Sequence, residues 1–298
     1  MGYKLIFMIS MAVFGTIGLF VKNISVSSGE LALYRAVMAA LLVGGFMLVT
    51  RRRIVWKEIK KQLPMLYLSG AAMGLNWILL FEAYKYTTVS VATLSYYFAP
   101  VIVTVASPLI FKEKIGARQW ICFAMSTLGI VLITGLGDLS AGSNHLLGIA
   151  HALGAAVLYA TVMLLNKSIK GVEGIQRTFF QFLAAIAVLI PYVAFTSGIT
   201  LGGLQLGGFA CLLAVGIVHT GITYCMYFSS MKELPGREVA LLSYIDPLVA
   251  VLCSVLILRE PMGLWQILGG VLILGFTLYN ELAPTLGKKK KNEKPFGE

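Results

Sequence analysis

The chain has 298 residues, of which 58% are hydrophobic and 12% charged, with a net charge of +11 and a mean hydropathy of +0.85. Soluble domains carry about 25% charged residues, so this composition excludes a cytoplasmic enzyme, a disordered chain, a coiled coil and collagen. About 20 apolar residues cross a bilayer as a helix, and this chain is largely made of such runs.

In chain order, apolar segments lie near residues 4–22, 28–50, 63–85, 89–111, 117–135, 146–166, 176–197, 206–230, 238–258 and 263–282. The predicted fold class is therefore all-α integral membrane, with ten transmembrane helices. The first segment follows Met-Gly-Tyr-Lys and has no A-x-A cleavage pattern, so it reads as a retained span. Turn residues separate the segments at Gly135 to Gly142, Gly171 to Gly174, Gly198 to Gly203 and Pro235-Gly236. Arg51 to Gln62 and the tail after Leu282 read as extramembrane stretches. Cys122, Cys211, Cys225 and Cys253 all fall within apolar runs and read as small packing residues, without metal-ligand spacing.

Charge sets the expected orientation. With the N-terminus inside, twenty of the 24 Lys and Arg fall in inner segments; the other four are Lys22, Arg35, Lys85 and Arg259. Cytoplasmic loops collect basic residues, so both termini are expected in the cytoplasm of a multi-pass cell-membrane protein. Lys288 to Lys291 read as a solvated tail touching anionic headgroups. The positive charge carries no nucleic-acid role.

The chain also resembles itself. With a shift of 147 residues, Gly74, Phe81, Lys85, Leu94, Tyr97 and Pro100 fall on Gly221, Phe228, Lys232, Leu241, Tyr244 and Pro247. Ser107, Glu113, Gly116 and Gln119 fall on Ser254, Glu260, Gly263 and Gln266. A shift of 145 brings Thr16, Leu19, Lys22 and Ile24 onto Thr161, Leu164, Lys167 and Ile169. Apolar composition does not bring Pro, Lys, Glu and Gln into register. Two five-span units are expected, 1–140 and 146–285, followed by a basic tail, 286–298. Five spans is an odd number, so the second unit is inverted, an architecture that places a substrate site near the midplane between the halves. A duplicated channel or scaffold is the alternative.

Phe14-Gly15-Thr16 through Lys22, Arg35, and the Tyr-Pro-Glu ending of each half (Tyr97, Pro100, Glu113; Tyr244, Pro247, Glu260) carry a resemblance. The chain resembles the drug/metabolite transporter superfamily in its EamA branch, over essentially its whole length. Phe14 departs from the tryptophan common at that position. The resemblance implies a ten-helix exporter of amino acids and other metabolites, with a central cavity lined by spans 1, 3, 4, 6, 8 and 9.

Ionisable groups at membrane depth are costly and so are functional candidates. Asp246 precedes Pro247 in an apolar span, with no basic residue within four positions; proline removes a helix hydrogen bond and leaves a carbonyl free, which suits a ligand or proton site. Glu82 is either a cavity carboxylate or an ion pair with Lys85 one turn on. His151 and His219 keep proton coupling open, against a plain packing role. Asn76, Trp77, Tyr96, Tyr97, Tyr224 and Tyr244 give these spans an aromatic, hydrogen-bonding lining. Trp56, Trp120 and Trp265 read as interfacial anchors, and Gly70-x-x-x-Gly74 as close helix packing. Glu113 and Glu260 recur at opposite surfaces and read as structural turn residues.

No GxxxxGK[ST], HExxH or GxSxG is present, so nucleotide drive and hydrolytic chemistry are not expected. The expected protein is not an enzyme and has no cofactor and no metal. It is a monomeric secondary carrier, working by alternating access on a small-molecule substrate, amino acids or related amines first, with protons and membrane lipid as its other partners. A channel and an integral-membrane enzyme are the competing classes.

Overall fold

A computed structural model describes residues 2–51, 54–111, 115–134 and 143–292, with side chains at all of these except 108, 143, 236, 237, 240 and 283–292. The described residues are helical, without strands. Their apolar helices are α1 (Tyr3–Val21), α2 (Ser28–Val49), α3 (Trp56–Tyr86), α4 (Val89–Phe111), α5 (Ala117–Ile133), α6 (Asn144–Ser168), α7 (Gly174–Phe195), α8 (Leu206–Met231) and α9 (Leu241–Ile257), followed by α10 (Leu264–Asn292). Seven of them, α1 to α4 and α6 to α8, are long and apolar enough to cross a membrane; α5 and α9 are shorter.

The two stretches read as extramembrane are partly helical. Helix α3 already begins at Trp56, with Pro64 inside it, and α10 continues to Asn292. Lys, Glu and Gln are good helix formers, and extending an existing helix costs far less than nucleating one.

The starts of the helices are written into the sequence. Ser27 caps α2 by accepting from the Glu30 N–H at 3.1 Å, and Thr88 caps α4 by accepting from Val91 at 3.2 Å. Gly116 N–H donates to the Gln119 side chain at 2.7 Å, and Gly263 N–H to Gln266 at 3.0 Å. The Gly-x-x-Gln pair that recurs in register is thus one device used twice, at the starts of α5 and α10: a side chain satisfies an N–H that the helix leaves open.

Interruptions fall at the centre of the bundle. Helix α1 breaks at Thr16, α4 at Tyr97 and α9 at Tyr244. Pro100 and Pro247 follow the latter two by three residues and lack the N–H that would continue the ladder. Helix α8 widens over Ala214–Ile222. There His219 Nδ1 lies 3.1 Å from the Ala214 carbonyl, and the Thr220 and Thr223 hydroxyls donate to Val215 and Val218, each five residues back. Such widened turns collect at functional positions.

Helix α3 packs on α6 and α7, α2 on α7 and α8, α1 on α8 and α9, α4 on α6 and α9, and α5 on α10. Small residues allow these approaches. A Cβ on Gly70 would lie 2.4 Å from the Gln181 carbonyl oxygen and 2.6 Å from the Ala184 Cβ, so the Gly70-x-x-x-Gly74 motif does seat α3 on α7. The outer surface is apolar: Phe195 is 89% and Leu206 85% exposed. Trp56, Trp120 and Trp265 are also exposed, at the starts of α3, α5 and α10.

Candidate functional site

The three interruptions and the widened turn bring polar groups into the middle of an apolar bundle. Asp246 lies in the first turn of the helical segment Ile245–Leu252, just before Pro247, and is half-buried. Its Oδ2 accepts from the Tyr97 hydroxyl at 2.7 Å, so the break in α4 supplies a partner to the break in α9. Tyr96, beside Tyr97, stacks on Tyr159 at 5.2 Å and points its hydroxyl at Asn76 Oδ1, 3.4 Å away. Asn76 is buried and donates to the Ala155 carbonyl at 2.6 Å, which ties α3, α4 and α6 together.

Arg35, on α2, lies within electrostatic reach of this carboxylate. It is 5% exposed. Nε donates to the Thr220 hydroxyl at 2.7 Å, the hydroxyl held by the widened turn of α8. The guanidinium carbon lies 4.3 Å from the Trp77 ring centroid and 5.7 Å from that of Phe81, within cation–π range. Tyr84, Tyr96, Tyr224 and Asp246 are within its electrostatic reach. Tyr224 packs edge-on against Phe14 at 5.2 Å and Phe182 at 5.5 Å. Phe14 therefore makes an aromatic contact with the interior.

Of the expected site residues, Asn76, Trp77, Tyr96, Tyr97, Tyr224 and Asp246 belong to this interior, and four do not. Glu82 is an ion-pair residue: Oε2 lies 3.0 Å from Lys85 Nζ and accepts from Ser28 at 2.5 Å. His151 turns away; its Nδ1 lies 2.8 Å from the Leu147 carbonyl of its own helix, and its ring stacks on Tyr86 at 5.6 Å. His219 is buried, but both of its nitrogens are occupied, Nε2 by the Thr16 hydroxyl at 2.9 Å and Nδ1 by Ala214. It joins α1 to α8 as a packing residue. Tyr244 is buried, and its hydroxyl has no partner among the described residues. Arg35 was recognised in the sequence only as part of a family pattern; as an ionisable residue at membrane depth it already qualified as a candidate. Glu30 was also overlooked. It is fully buried and accepts from Tyr34, the Thr200 N–H and the Thr200 hydroxyl, each at 2.6 Å, which pins the connection after α7 to the start of α2.

Two lysines stand at the two ends of the bundle. At one end Lys22 pairs with Glu260 at 2.5 Å. Glu260 also accepts from the Val89 N–H at 2.8 Å and from Ser254 at 2.5 Å. The chain reaches this position through Arg259, whose left-handed φ of 54° turns Glu260 back over Ser254. Glu260 is therefore more than a turn residue: it fastens the end of α1 and the start of α4 to the end of α9. Beside it is a cavity of about 270 Å³, lined by Lys22, Ser28, Leu31, Phe81, Tyr84 and Lys85 among others. Phe81 belongs both to this cavity and to the Arg35 cluster. At the other end Lys167 donates to Ser107 at 3.0 Å and lies 4.3 Å from the Phe111 ring centroid. Glu113, the counterpart of Glu260, lies outside the described residues.

Known proteins match this chain along its length. The profile of the EamA-like transporter family matches residues 1–135 and again 146–280. The uncharacterized transporter YxxF of Bacillus subtilis (strain 168) is 30% identical, over 89% of this chain and 85% of its own. An uncharacterized transporter of Clostridium kluyveri is 27% identical, over 85% and 84%, and the protein PecM of Dickeya dadantii is 24% identical, over 76% of each. A solved crystal structure, 17% identical, superposes with a TM-score of 0.62 over 96% of this chain and 98% of its own, and so has the same fold. With apolar helices throughout and the family profile matched over both halves, this chain is a polytopic membrane protein that belongs to the EamA-like transporter family.

Proposed function

We propose that the protein is a secondary active transporter that exports a small polar or amphipathic metabolite, amino acids or related amines first, by alternating access around the interior between its two halves. The observation that carries this reading is the Asp246–Tyr97 pair at the breaks of α4 and α9, within electrostatic reach of Arg35, which α2 holds against the widened turn of α8. Charged groups at membrane depth mark substrate and proton pathways, and aromatic rings offer apolar walls and cation–π faces. The relatives' names add support, since several are transporters. Export is the direction that the family resemblance implies.

An inverted repeat of two five-span halves fits the packing. Exchanging each helix for the one five later turns α3 on α6 into α8 on α1, α4 on α6 into α9 on α1, and α3 on α7 into α8 on α2, while α2 on α7, α4 on α9 and α5 on α10 map onto themselves; every one of these contacts is made. The two lysines obey the same exchange. Lys22 reaches Glu260 beside Ser254, and Lys167 reaches Ser107, the counterpart of Ser254. One lysine fastens each end, so that opening one latch while closing the other rocks one half against the other.

The basic-residue count puts both termini and the Lys167 end in the cytoplasm and the Lys22 end outside. Reporter fusions after residues 140 and 287 test this: the first is expected outside and the second inside, and the reverse result at either position contradicts the topology. For the substrate, a thermal-shift screen of metabolites on the purified protein is expected to find stabilisation by amino acids or amines. Stabilisation only by anions lacking an amino group contradicts that ranking.

A further inference from the structure

Several other charged groups of the bundle are matched by local donors or acceptors. Glu30 has three donors, Glu82 has Lys85 and Ser28, Glu260 has Lys22, Ser254 and the Val89 N–H, and Arg177 donates to the Asn166 carbonyl. Arg35 differs. It makes no ion pair, and its only hydrogen bond among the described residues is from Nε. Neither terminal nitrogen has an acceptor, yet neither is sealed in among the buried unpartnered atoms. Asp246 is in the same condition: Tyr97 occupies Oδ2, while Oδ1 has no donor and is not sealed. Arg35 and Asp246 thus each present an open edge.

A guanidinium taken from water without an anion is costly. Trp77 and Phe81 offset part of that cost from the side, and Thr220 occupies Nε. What remains is the edge formed by the two terminal nitrogens, the edge that engages a planar carboxylate in two parallel hydrogen bonds. We propose that Arg35 is an anion subsite for the substrate's carboxylate, opposite Asp246 as the ammonium subsite, so that the preferred substrate is a zwitterion carrying both groups and a small apolar body held by the surrounding aromatic rings. This rests on the carrier reading above and narrows it from amines in general to amino acids. A phosphorylated ligand would bring surplus negative charge, and among the described residues no second basic side chain contacts Arg35 or Asp246 to meet it. Phe81 connects the subsite to the cavity at the Lys22 end, which gives the carboxylate an approach from that side.

The test compares molecules that differ in one group. Leucine and phenylalanine are set against leucinamide and phenylalaninamide, which keep the ammonium and side chain but lose the carboxylate, and against isocaproate and phenylpropionate, which lose the ammonium. Phosphoethanolamine completes the panel. Binding is read by thermal shift on wild-type protein and transport by competition in proteoliposomes. The wild type is expected to prefer an amino acid over its amide by about tenfold or more, the factor of one lost charge-assisted hydrogen-bonded pair. Arg35→Gln is expected to erase that preference while keeping the preference for compounds with an ammonium group. The wild-type comparison stands even if the variant fails to fold. Amides bound as tightly as amino acids, an undiminished preference in Arg35→Gln, or tightest binding of phosphoethanolamine overturns the proposal and leaves the carrier reading standing. No binding by any member of the panel overturns both.

Discussion

Asp246→Asn is expected to leave the protein folded in the membrane and to lower coupled substrate flux by at least about tenfold, because hydrogen bonds to a charged group contribute about 1.5–3 kcal/mol and each 1.4 kcal/mol is a factor of about ten. Asparagine keeps the shape of the side chain and can still accept from Tyr97, so the bond that joins α4 to α9 survives. What disappears is the charge, with its attraction for a substrate ammonium group and its capacity to carry a proton. The measurement is flux per folded molecule in proteoliposomes, with folding checked by elution as a single sharp species. Glu82, His151 and His219 do not take over in this account, since each is committed elsewhere. Wild-type flux with unchanged pH dependence in the asparagine variant would make Asp246 a packing residue and remove the centre of the proposed site.

The second large effect is expected at the Lys22 end. Glu260→Gln is predicted to shift the protein toward a state open at that end by about thirtyfold, corresponding to about 2 kcal/mol for hydrogen bonds lost from a charged acceptor. The carboxylate here has an ammonium, a hydroxyl and a backbone N–H as donors. It holds three segments that a neutral amide, with a single acceptor oxygen, cannot all satisfy. Opening is read by maleimide labelling of Leu31→Cys, a residue that is 2% exposed and lines the cavity beside the latch, in a background lacking the four native cysteines. Labelling from the Lys22 side is expected to accelerate while net transport slows. Exchanging the charges, Lys22→Glu with Glu260→Lys, is expected not to restore closure, because a lysine cannot accept from the Val89 N–H. Full rescue by the exchange would reduce the latch to a simple ion pair, and unchanged labelling in Glu260→Gln would deny it any part in closure.

What could be read beforehand follows the range of each interaction. Helix positions come from local apolar runs, and seven of the segments emerge as helices long enough to span. The repeated Gly-x-x-Gln pairs were legible as a repeat, and the bonds at Gly116 and Gly263 explain them as caps acting within one turn. Asp246 stood out because its lack of a counter-charge is a local fact. Its partner Tyr97 is 149 positions away, and no periodicity locates such a contact. Arg35 was hidden for the same reason: Thr220 is 185 positions distant, and the value of the residue lies in which of its nitrogens are left free. The place of His151 could not be read beforehand, because helical spacing gives a face but not what that face meets. The helical extensions at Trp56 and past Leu282 were not foreseen because charge argues against membrane, not against helix.

The most direct measurement is counterflow. Proteoliposomes loaded with a high concentration of unlabelled amino acid are placed in a trace of the same labelled compound, without ATP or an imposed ion gradient. A carrier with one central site facing either side in turn predicts transient, saturable accumulation of label inside, absent from vesicles containing Asp246→Asn and much weaker with the corresponding amide. Label that merely equilibrates at a rate proportional to concentration, with no overshoot in wild-type vesicles, would contradict alternating access around this site.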